Sequence, residues 1–335
     1  SSFRITNNKT SSTSAPSLYF KNDDDLYVSL ALLNSCISQV YMDLLNPTVG
    51  LKLANVEAVP AINFEKMAVF LRSSCENNIA LSKEDWDSYE ISWDFEQHPL
   101  VKRKELHSLE KCYLTWKTEC ENRFLKMKDN EEHINVVILK EYGLENEVSC
   151  EVPEKSISVH RIFDTKEDIP VSMDGSYYVR TKRDEIVSLI SYSVGCVFGR
   201  YSLDKKGIVN AGAPLNVNEY VSFSVDKDNI IPICDDEYFK DDIVGRFVEF
   251  IKIVYGADSL DDNLTFIAKA LGGKGSPREV IRNYFVNDFY KEHCATYSGT
   301  VGKRPIYWLF DAGKNNSFKA LIYMHRYQPD TIARI

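Results

Sequence analysis

The stretch KRPIYWLFDAGKNNSFKALIYMHRYQPDTIARI, residues 303–335, has the clearest structural pattern in the chain. Two runs rich in β-branched and aromatic residues, Arg304 to Phe310 and Phe318 to Tyr327, flank the polar sequence Asp-Ala-Gly-Lys-Asn-Asn-Ser. Gly and Asn tolerate the positive φ that a tight turn needs. The pattern therefore predicts a β-hairpin.

The same end of the chain carries an excess of positive charge. Between Val301 and Ile335, six Lys and Arg residues stand against two Asp residues, a balance of +4, whereas the whole chain of 335 residues carries −9. One interpretation is a surface that contacts the phosphate backbone of DNA. A basic rim on a purely structural hairpin explains the same charges equally well, and both interpretations stay open.

Helical periodicity dominates the rest of the chain and predicts a predominantly helical α+β protein. Residues 23–45 have the apolar spacing of one helix, with three Asp residues at its start. A longer helix is predicted from a coiled-coil-like seam with Arg123 at a position where an apolar residue is expected. The seam consists of Leu106, Leu109, Tyr113, Trp116, Cys120 and Met127. A separate helix follows it, ending near Gly143, a C′ glycine.

Two further helix starts are predicted from capping patterns. Ser82 followed by acidic residues indicates one helix, on which Trp86, Tyr89 and Trp93 share a face and are expected in the core.

Thr181 and Asp184 form a capping box for another helix, in which Gly195 and Gly199 indicate close packing of another backbone. Substituting Gly195 by Leu is therefore expected to destabilise the fold.

Residues 235–256 predict an amphipathic helix with an acidic outer face. Nine acids and three cations between Asp235 and Asp262 give −6, which would repel phosphate. Asp241 and Asp242 raise the alternative of a metal or nuclease site. The helix macrodipole already explains acids at helix starts, so the sequence predicts no metal ligands.

Composition is that of an ordinary globular protein of two or three domains. Its eight Cys include no Cys-x-x-Cys pair, which argues against zinc and favours reduced thiols in a cytoplasmic protein. No apolar run is long enough to cross a bilayer. The polar start without Met, and a helix start at Asp330 that the chain does not continue, predict a piece of a longer protein, truncated at its end.

Four further blocks extend the pattern of the C-terminal stretch. They are LLNSCISQVYMDLLNPTVGLKLANVEAVPAI from Leu32, SKEDWDSYEISWDFEQHPL from Ser82, SYSVGCVFGRYSLDKKGI from Ser191 and DDEYFKDDIVGRFVEF from Asp235. Together with residues 303–335 they resemble the C-terminal part of PglX-like adenine-specific DNA methyltransferases. These belong to bacteriophage-exclusion (BREX) systems and are related to fused type II restriction–modification methylases.

The resemblance implies four parts. Residues 1–62 resemble the C-terminal portion of a target-recognition domain, closed by a strand near Val56. Residues 63–145 are expected to form a helical spacer and residues 146–173 a linker. Residues 174–335 are expected to form a C-terminal α+β domain that carries the hairpin. The Arg200–Asp204 block is a hallmark of the resemblance, but the sequence assigns no chemistry to this block.

The catalytic motifs of such methyltransferases are absent from this sequence. There is no glycine-containing strand-to-helix turn for S-adenosylmethionine, because Gly272, Gly273 and Gly275 follow a helical pattern. There is no Asn-Pro-Pro-aromatic loop either, since the nearest string is Leu45-Asn46-Pro47-Thr48. S-adenosylmethionine is thus expected for the parent protein, and this chain is predicted to hold no cofactor and to be inactive alone.

The resulting hypothesis is a DNA-recognition and accessory segment of a site-specific adenine methyltransferase in restriction–modification or phage defence. Its predicted partners are double-stranded DNA and the N-terminal methyltransferase domain of the same protein. The candidate DNA contacts are Arg4, Lys9, Lys21, Lys303, Arg304, Lys314, Lys319 and Arg326. The alternatives are a scaffold that docks the enzyme to other defence subunits and an independent hydrolytic site.

Overall fold

The computed structural model describes residues 3–5, 17–45, 53–297, 305–313 and 318–335. The helices are α1 Asp23–Asn34, α2 Cys36–Leu45, α3 Leu53–Glu57, α4 Phe64–Trp86, α5 Pro99–Lys102, α6 Leu109–Tyr142, α7 Lys182–Val197, α8 Ile243–Tyr255, α9 Leu260–Leu271, α10 Pro277–Tyr284, α11 Tyr290–Tyr297 and α12 Thr331–Arg334. The strands are β1 Arg161–Phe163, β2 Val179–Thr181, β3 Ile230–Cys234, β4 Tyr307–Asp311 and β5 Phe318–Tyr323. The predicted predominantly helical α+β class is confirmed.

The chain divides into two compact units. The first unit comprises Ser1–Asp85, Cys120–Arg161 and Ile169–Val179. The second unit comprises Trp86–Glu119, Ile162–Asp168 and Arg180–Ile335. The four-part division expected from the resemblance stays a prediction.

The core of the first unit is built from α1, α2, α4 and the C-terminal half of α6. Val28, Leu71 and Ile138 are fully buried in it. One helix was predicted over residues 23–45, but the structure has two, because the hydroxyl of Ser35 bonds to the carbonyl of Leu32 and interrupts the ladder.

Helix α6 contains the predicted seam from Leu109 onwards. Leu106, predicted as its first residue, lies before the helix and is 37% exposed, so that part of the prediction is wrong. The 34 residues of α6 span about 50 Å and continue without a break through the region where a separate helix was predicted. The seam residues from Leu109 to Met127 are buried, as predicted. The helix ends at Gly143, which has a φ of 68°, and the Leu144 N–H bonds to the Leu139 carbonyl, which confirms the C′ glycine.

The core of the second unit lies between α7, α8, α9 and a three-stranded sheet. The predicted hairpin is confirmed as antiparallel β4 and β5, with Leu309 opposite Leu321. Strand β3, which sequence patterns missed, pairs with the other edge of β5, so the order is β3-β5-β4. Both halves of the predicted capping box at Thr181 and Asp184 are present at the start of α7.

Gly195 on α7 is a point of close packing, as predicted. A Cβ added there would lie 2.5 Å from Cδ2 of Tyr201. The predicted neighbour was a second backbone, but the structure has an aromatic side chain there. Gly199 was predicted in the same helix, but it follows the end of α7 and has a φ of 79°. Tyr201 is itself fully buried and stacks on Tyr192 at 5.1 Å between ring centroids, so it has little room to move.

Four local predictions are wrong. The helix predicted over residues 235–256 begins only at Ile243. Ser82 lies near the end of α4, not at a helix start, since the helix begins at Phe64. The residues after Trp86 form turns, so Trp86, Tyr89 and Trp93 do not share a helical face. Tyr89 is buried as expected, but Trp93 is 96% exposed. The strand predicted near Val56 is instead helix α3.

Among the described residues, no single helix has the length and apolar composition needed to cross a membrane. Helices α1 and α2, which bend by 65° at their junction, meet these criteria only as a pair.

Candidate functional site

The predicted DNA contacts fall into three groups. Lys9, Lys303, Arg304 and Lys314 lie outside the described residues. Arg4 and Lys21 belong to the first unit, and Lys319 and Arg326 belong to the second. Their role in binding DNA stays a prediction, and the structure adds the local environment of four of them.

Arg4 and Lys21 are exposed. The guanidinium of Arg4 donates a hydrogen bond to the hydroxyl of Tyr178, and the neighbouring Phe3 N–H donates to the side chain of Asn34 at 2.8 Å. Lys21 precedes Asn22, the N-cap of α1. Both cations are therefore accessible to solvent on their unit.

Arg326 is held by internal hydrogen bonds. Its guanidinium donates to the carbonyl oxygens of Phe198 at 3.1 Å, Asp226 at 2.9 Å and Lys227 at 3.3 Å. Burial lowers the pKa of the guanidinium from its ordinary value. These hydrogen bonds join the end of the hairpin to the end of α7 at Phe198 and to the loop at Asp226 and Lys227.

Lys319 lies on β5 and is only 8% exposed. Its ammonium donates to the carbonyl oxygen of Val286 at 2.7 Å and lies 3.8 Å from a carboxylate oxygen of Asp311. Val286 belongs to a π-helix, Phe285–Phe289, that joins α10 to α11. A π-helix shifts carbonyl groups out of the regular α-helical ladder, and Lys319 supplies a donor to one of them.

A cleft of about 480 Å³ lies between the π-helix, α11 and the hairpin. Its polar lining consists of Asn287, Tyr290, Lys291 and Lys319, and the rest includes Val286 and Leu309. Among the described residues that line it there are two lysines and no carboxylate. An ammonium has three N–H donors, so both lysines could donate to an oxyanion in this cleft.

Tyr290 covers backbone polar groups of β4, the edge strand beside the cleft. Its hydroxyl donates to the carbonyl of Tyr307 at 3.4 Å, and the Leu309 backbone interacts with the same hydroxyl. Covering polar groups of β4 in this way discourages pairing with another strand. The cleft is therefore better suited to a small polar group than to an added β-strand.

A second cleft, of about 570 Å³, has the opposite charge balance. Its charged lining residues are Glu110, Asp164, Lys182, Asp262 and Lys269. Hydrogen bonds from Lys117, then from Lys182 and Tyr113, lower the pKa of Asp164 to about 2. Because three acids face two cations, this cleft disfavours phosphate.

The acids considered for a metal site have separate positions. Asp242 caps α8 and forms an ion pair with Arg282 at 2.8 Å. Asp241 instead lies close to Asp226 and Asp228, and one carboxylate oxygen of each of the three residues is within 4.8 Å of the other two. Burial and then Asp228 raise the pKa of Asp226 to about 6. Exposed acids commonly cluster in this way, and the absence of metal ligands stays a prediction.

The Arg200–Asp204 block, to which the sequence assigned no chemistry, makes structural contacts. Arg200 donates to the hydroxyl of Tyr201 at 3.1 Å. The carboxylate of Asp204 accepts the backbone N–H groups of Val221 at 2.7 Å and Ser222 at 2.9 Å. The block thus anchors the loop that leads from α7 towards β3.

Sequence reasoning missed Lys291 and the cleft that it lines. Lys291 stands alone in the sequence, without the charge run that drew attention to residues 303–335. The cleft itself depends on the π-helix and on the pairing of β4 with β5, and no local pattern encodes that combination.

Comparison with known proteins identifies homologues. The chain is 39% identical over 325 residues to adenine-specific methyltransferase PglX of Lacticaseibacillus casei, matching 94% of this chain and 25% of that protein. It is 32% identical over 334 residues to adenine-specific methyltransferase BrxX of Escherichia coli O9:H4, matching 95% of this chain and 27% of that protein. No protein-family model matches the chain. The resemblance inferred from the sequence blocks is confirmed, and this chain, which spans about a quarter of the length of these relatives, is a homologue of the PglX and BrxX adenine-specific methyltransferases.

Proposed function

We propose that this chain is a DNA-binding accessory segment of an adenine-specific DNA methyltransferase of bacterial phage defence, and that it grips the DNA backbone through the cleft lined by Lys291 and Lys319. One observation carries the proposal: this cleft presents two ammonium groups and, among the described residues, no carboxylate in its lining. The names of the homologous proteins support the enzyme class.

The cleft would position DNA rather than read its sequence. Ammonium groups bind phosphate oxygens as point charges, and such contacts set the register of a protein on the duplex without distinguishing bases. Recognition of the target sequence would then rest on other residues of the enzyme. Within this chain, Arg4 and Lys21 are the exposed candidates in the first unit.

Methyl transfer itself would take place elsewhere in the parent enzyme. This sequence lacks both the turn that holds S-adenosylmethionine and the loop that stacks the flipped adenine. We expect no binding of S-adenosylmethionine by the isolated chain in titration calorimetry. Measurable binding would show that a cofactor site exists here and would overturn this division of roles.

Salt-dependent binding of the purified chain to a short DNA duplex tests the cleft. The affinity should fall with salt at a log–log slope of about −0.9 for each phosphate neutralised. Substituting Lys291 by Gln removes one cation without disturbing the Lys319 bond to Val286, so the slope should become shallower by about 0.9 on every duplex sequence.

Lys252 is the matched control, because it is an exposed lysine on α8, inside the acidic stretch. Its substitution by Gln should leave the slope unchanged. The proposal fails if the chain shows no DNA binding at low salt, or if Lys291→Gln and Lys252→Gln behave alike.

A second candidate function is a scaffold that docks other proteins of the defence system. An exposed aromatic surface around Trp308 and Phe310, on the face of the β3-β5-β4 sheet opposite the cleft, favours this function.

A further inference from the structure

The sheet of the second unit has two chemically different faces. Side chains of directly opposed residues share a face, and successive residues alternate. Lys319 and Leu309 lie on the face that lines the cleft. Trp308, which pairs with Ile322, and Phe310, which pairs with Ala320, therefore lie on the other face, together with Phe318.

Part of this other face is an exposed aromatic surface. Trp308 is 57% exposed and Phe310 is 38% exposed. The ring of Phe239 packs 6.1 Å from that of Phe318 and is 45% exposed, and its neighbour Tyr238 is 66% exposed. We call Tyr238, Phe239, Trp308 and Phe310 the aromatic face.

Carboxylates border the aromatic face. Strand β3 ends at Cys234, directly opposite Phe318, and Asp235, Asp236 and Glu237 follow at once and are all exposed. We call these three residues the acidic rim. Their carboxylates are not used in ion pairs among the described residues, since Arg282 bonds to the backbone carbonyl of Asp236 rather than to its side chain.

This combination selects for a cationic partner. Exposed aromatic residues that group together on a protein surface indicate an interaction site. Carboxylates beside them repel phosphate, anionic lipid headgroups and acidic peptides. A guanidinium satisfies both features, because its plane stacks on aromatic rings while its N–H groups bind carboxylates in pairs.

We propose that the aromatic face and the acidic rim bind an arginine-rich segment of a protein partner. In this arrangement the arginine side chains stack on Trp308 and Tyr238, and Asp235, Asp236 and Glu237 accept their N–H groups. The surface lies on the opposite side of the sheet from the Lys319 cleft, so one copy of the chain can engage DNA and the partner at once. The proposal does not depend on DNA binding.

Titration of the chain with a short oligo-arginine peptide tests the proposal, with Trp fluorescence and calorimetry as readouts. Oligo-arginine should bind more tightly than oligo-lysine of the same length, because lysine stacks on rings less well. Trp308→Thr, which keeps a β-branched residue in the strand, should weaken binding about tenfold. The triple variant Asp235→Asn, Asp236→Asn, Glu237→Gln should weaken it at least as much and flatten its salt dependence.

The matched control is the triple variant Asp258→Asn, Asp261→Asn, Asp262→Asn. It removes three negative charges, as the first triple variant does, but from exposed acids outside the acidic rim. The affinity for the oligo-arginine peptide should stay within about twofold of that of the unsubstituted chain. Equal losses from both triple variants would show a general charge effect and overturn the proposal.

Other occupants of the surface give different results. Trp308→Thr would weaken duplex DNA binding if the surface contacts DNA. It would abolish concentration-dependent association in sedimentation if the occupant is a second copy of the chain. Neutralising Lys303 and Arg304 would tighten peptide binding if this chain's own cations cover the surface. Any of these results overturns the proposal.

Discussion

The ammonium group of Lys319 on β5 donates a hydrogen bond of 2.7 Å to the carbonyl oxygen of Val286 in the π-helix. A cation that the sequence suggested as a DNA contact is therefore also part of the protein's internal hydrogen bonding. The same bond fixes the hairpin to the helical segment and forms the floor of the cleft beside Lys291. Loss of Lys319 would alter the structure of the cleft as well as its charge.

Substituting Lys319 by Met should lower the free energy of unfolding by about 1 to 3 kcal/mol. Met keeps the apolar stem but leaves the Val286 carbonyl without this donor. Urea denaturation measures the difference. Lys291→Met, at an exposed position of the same cleft, should stay within about 0.5 kcal/mol of the unsubstituted chain. Equal stability of the two variants would mean that the Val286 contact contributes nothing.

Substituting Gly195 by Ala should destabilise the chain by about 2 kcal/mol or more, because the added methyl group overlaps the ring of Tyr201. Gly245 on α8 is the control, since the nearest atom to a Cβ there is Glu237 Oε1 at 3.8 Å. Gly245→Ala should be neutral or stabilising by up to about 1 kcal/mol through helix propensity. Thermal unfolding of both variants checks the contrast, and similar losses in the two would contradict it.

Substituting Arg123 by Leu should destabilise the chain, although the seam of α6 favours an apolar residue there. Arg123 is 4% exposed and forms ion pairs with Glu84 at 2.7 Å and with Asp85 at 3.5 Å. Without the Arg123 guanidinium, the buried carboxylate of Asp85 keeps its hydrogen bond with His160 but loses its ion pair, at a cost of about 3 to 5 kcal/mol.

A double-mutant cycle isolates the pair of Arg123 with Asp85. In an Asp85→Asn background, the cost of Arg123→Leu should fall by at least about 1 kcal/mol, because no buried charge is left uncompensated. Chemical denaturation of the four proteins gives the coupling energy. Additive losses would show that Asp85 does not depend on Arg123.

Glu90 should make stability fall as the pH rises. Burial raises the pKa of its carboxyl to about 7, against the lowering effects of Ser191, Arg200 and Tyr201. Between about pH 4.3 and pH 7 the carboxyl of Glu90 therefore binds more protons in the folded state than in the unfolded state. The stability that this group contributes is fully present below about pH 4.3 and is lost as the pH rises to 7.

Glu90→Gln removes the titration and keeps the shape of the side chain. The stability of the unsubstituted chain relative to this variant should therefore fall by on the order of 3 kcal/mol between pH 4.5 and pH 8. Denaturation curves at a series of pH values measure this difference. A difference that stays constant with pH would show that the carboxyl of Glu90 is not perturbed by folding.

Local features of the fold were predictable from the sequence. The β4–β5 hairpin, the capping box at Thr181 and the C′ glycine at Gly143 each depend on a few neighbouring residues whose backbone preferences agree with the final structure. That Gly195 lies at a close contact was also predictable, but its neighbour, the side chain of Tyr201, was not. Homology to the methyltransferases was also contained in the sequence, through blocks spread along the whole chain.

Predictions failed where distant residues decide the outcome. Strand β3 is apolar throughout, without the alternation that marks a half-buried strand, and only pairing with β5 reveals it. Trp86 and Trp93 have helical spacing, yet the chain turns after Trp86 and leaves both side chains exposed. Arg123 is a charged residue in an apolar seam because its partners come from another helix.

The sequence by itself determined the homology of this chain to the PglX and BrxX methyltransferases, its predominantly helical class and several local elements, because each follows from neighbouring residues or from similarity along the chain. Only the tertiary structure decided what individual charges do. Arg326 is held by three carbonyl groups, and Lys319 bonds to Val286 while it lines the cleft. Lys291 in the same cleft and the acidic rim are exposed. Whether a charge is available for a partner depends on burial and hydrogen bonds from residues that are far apart in the chain.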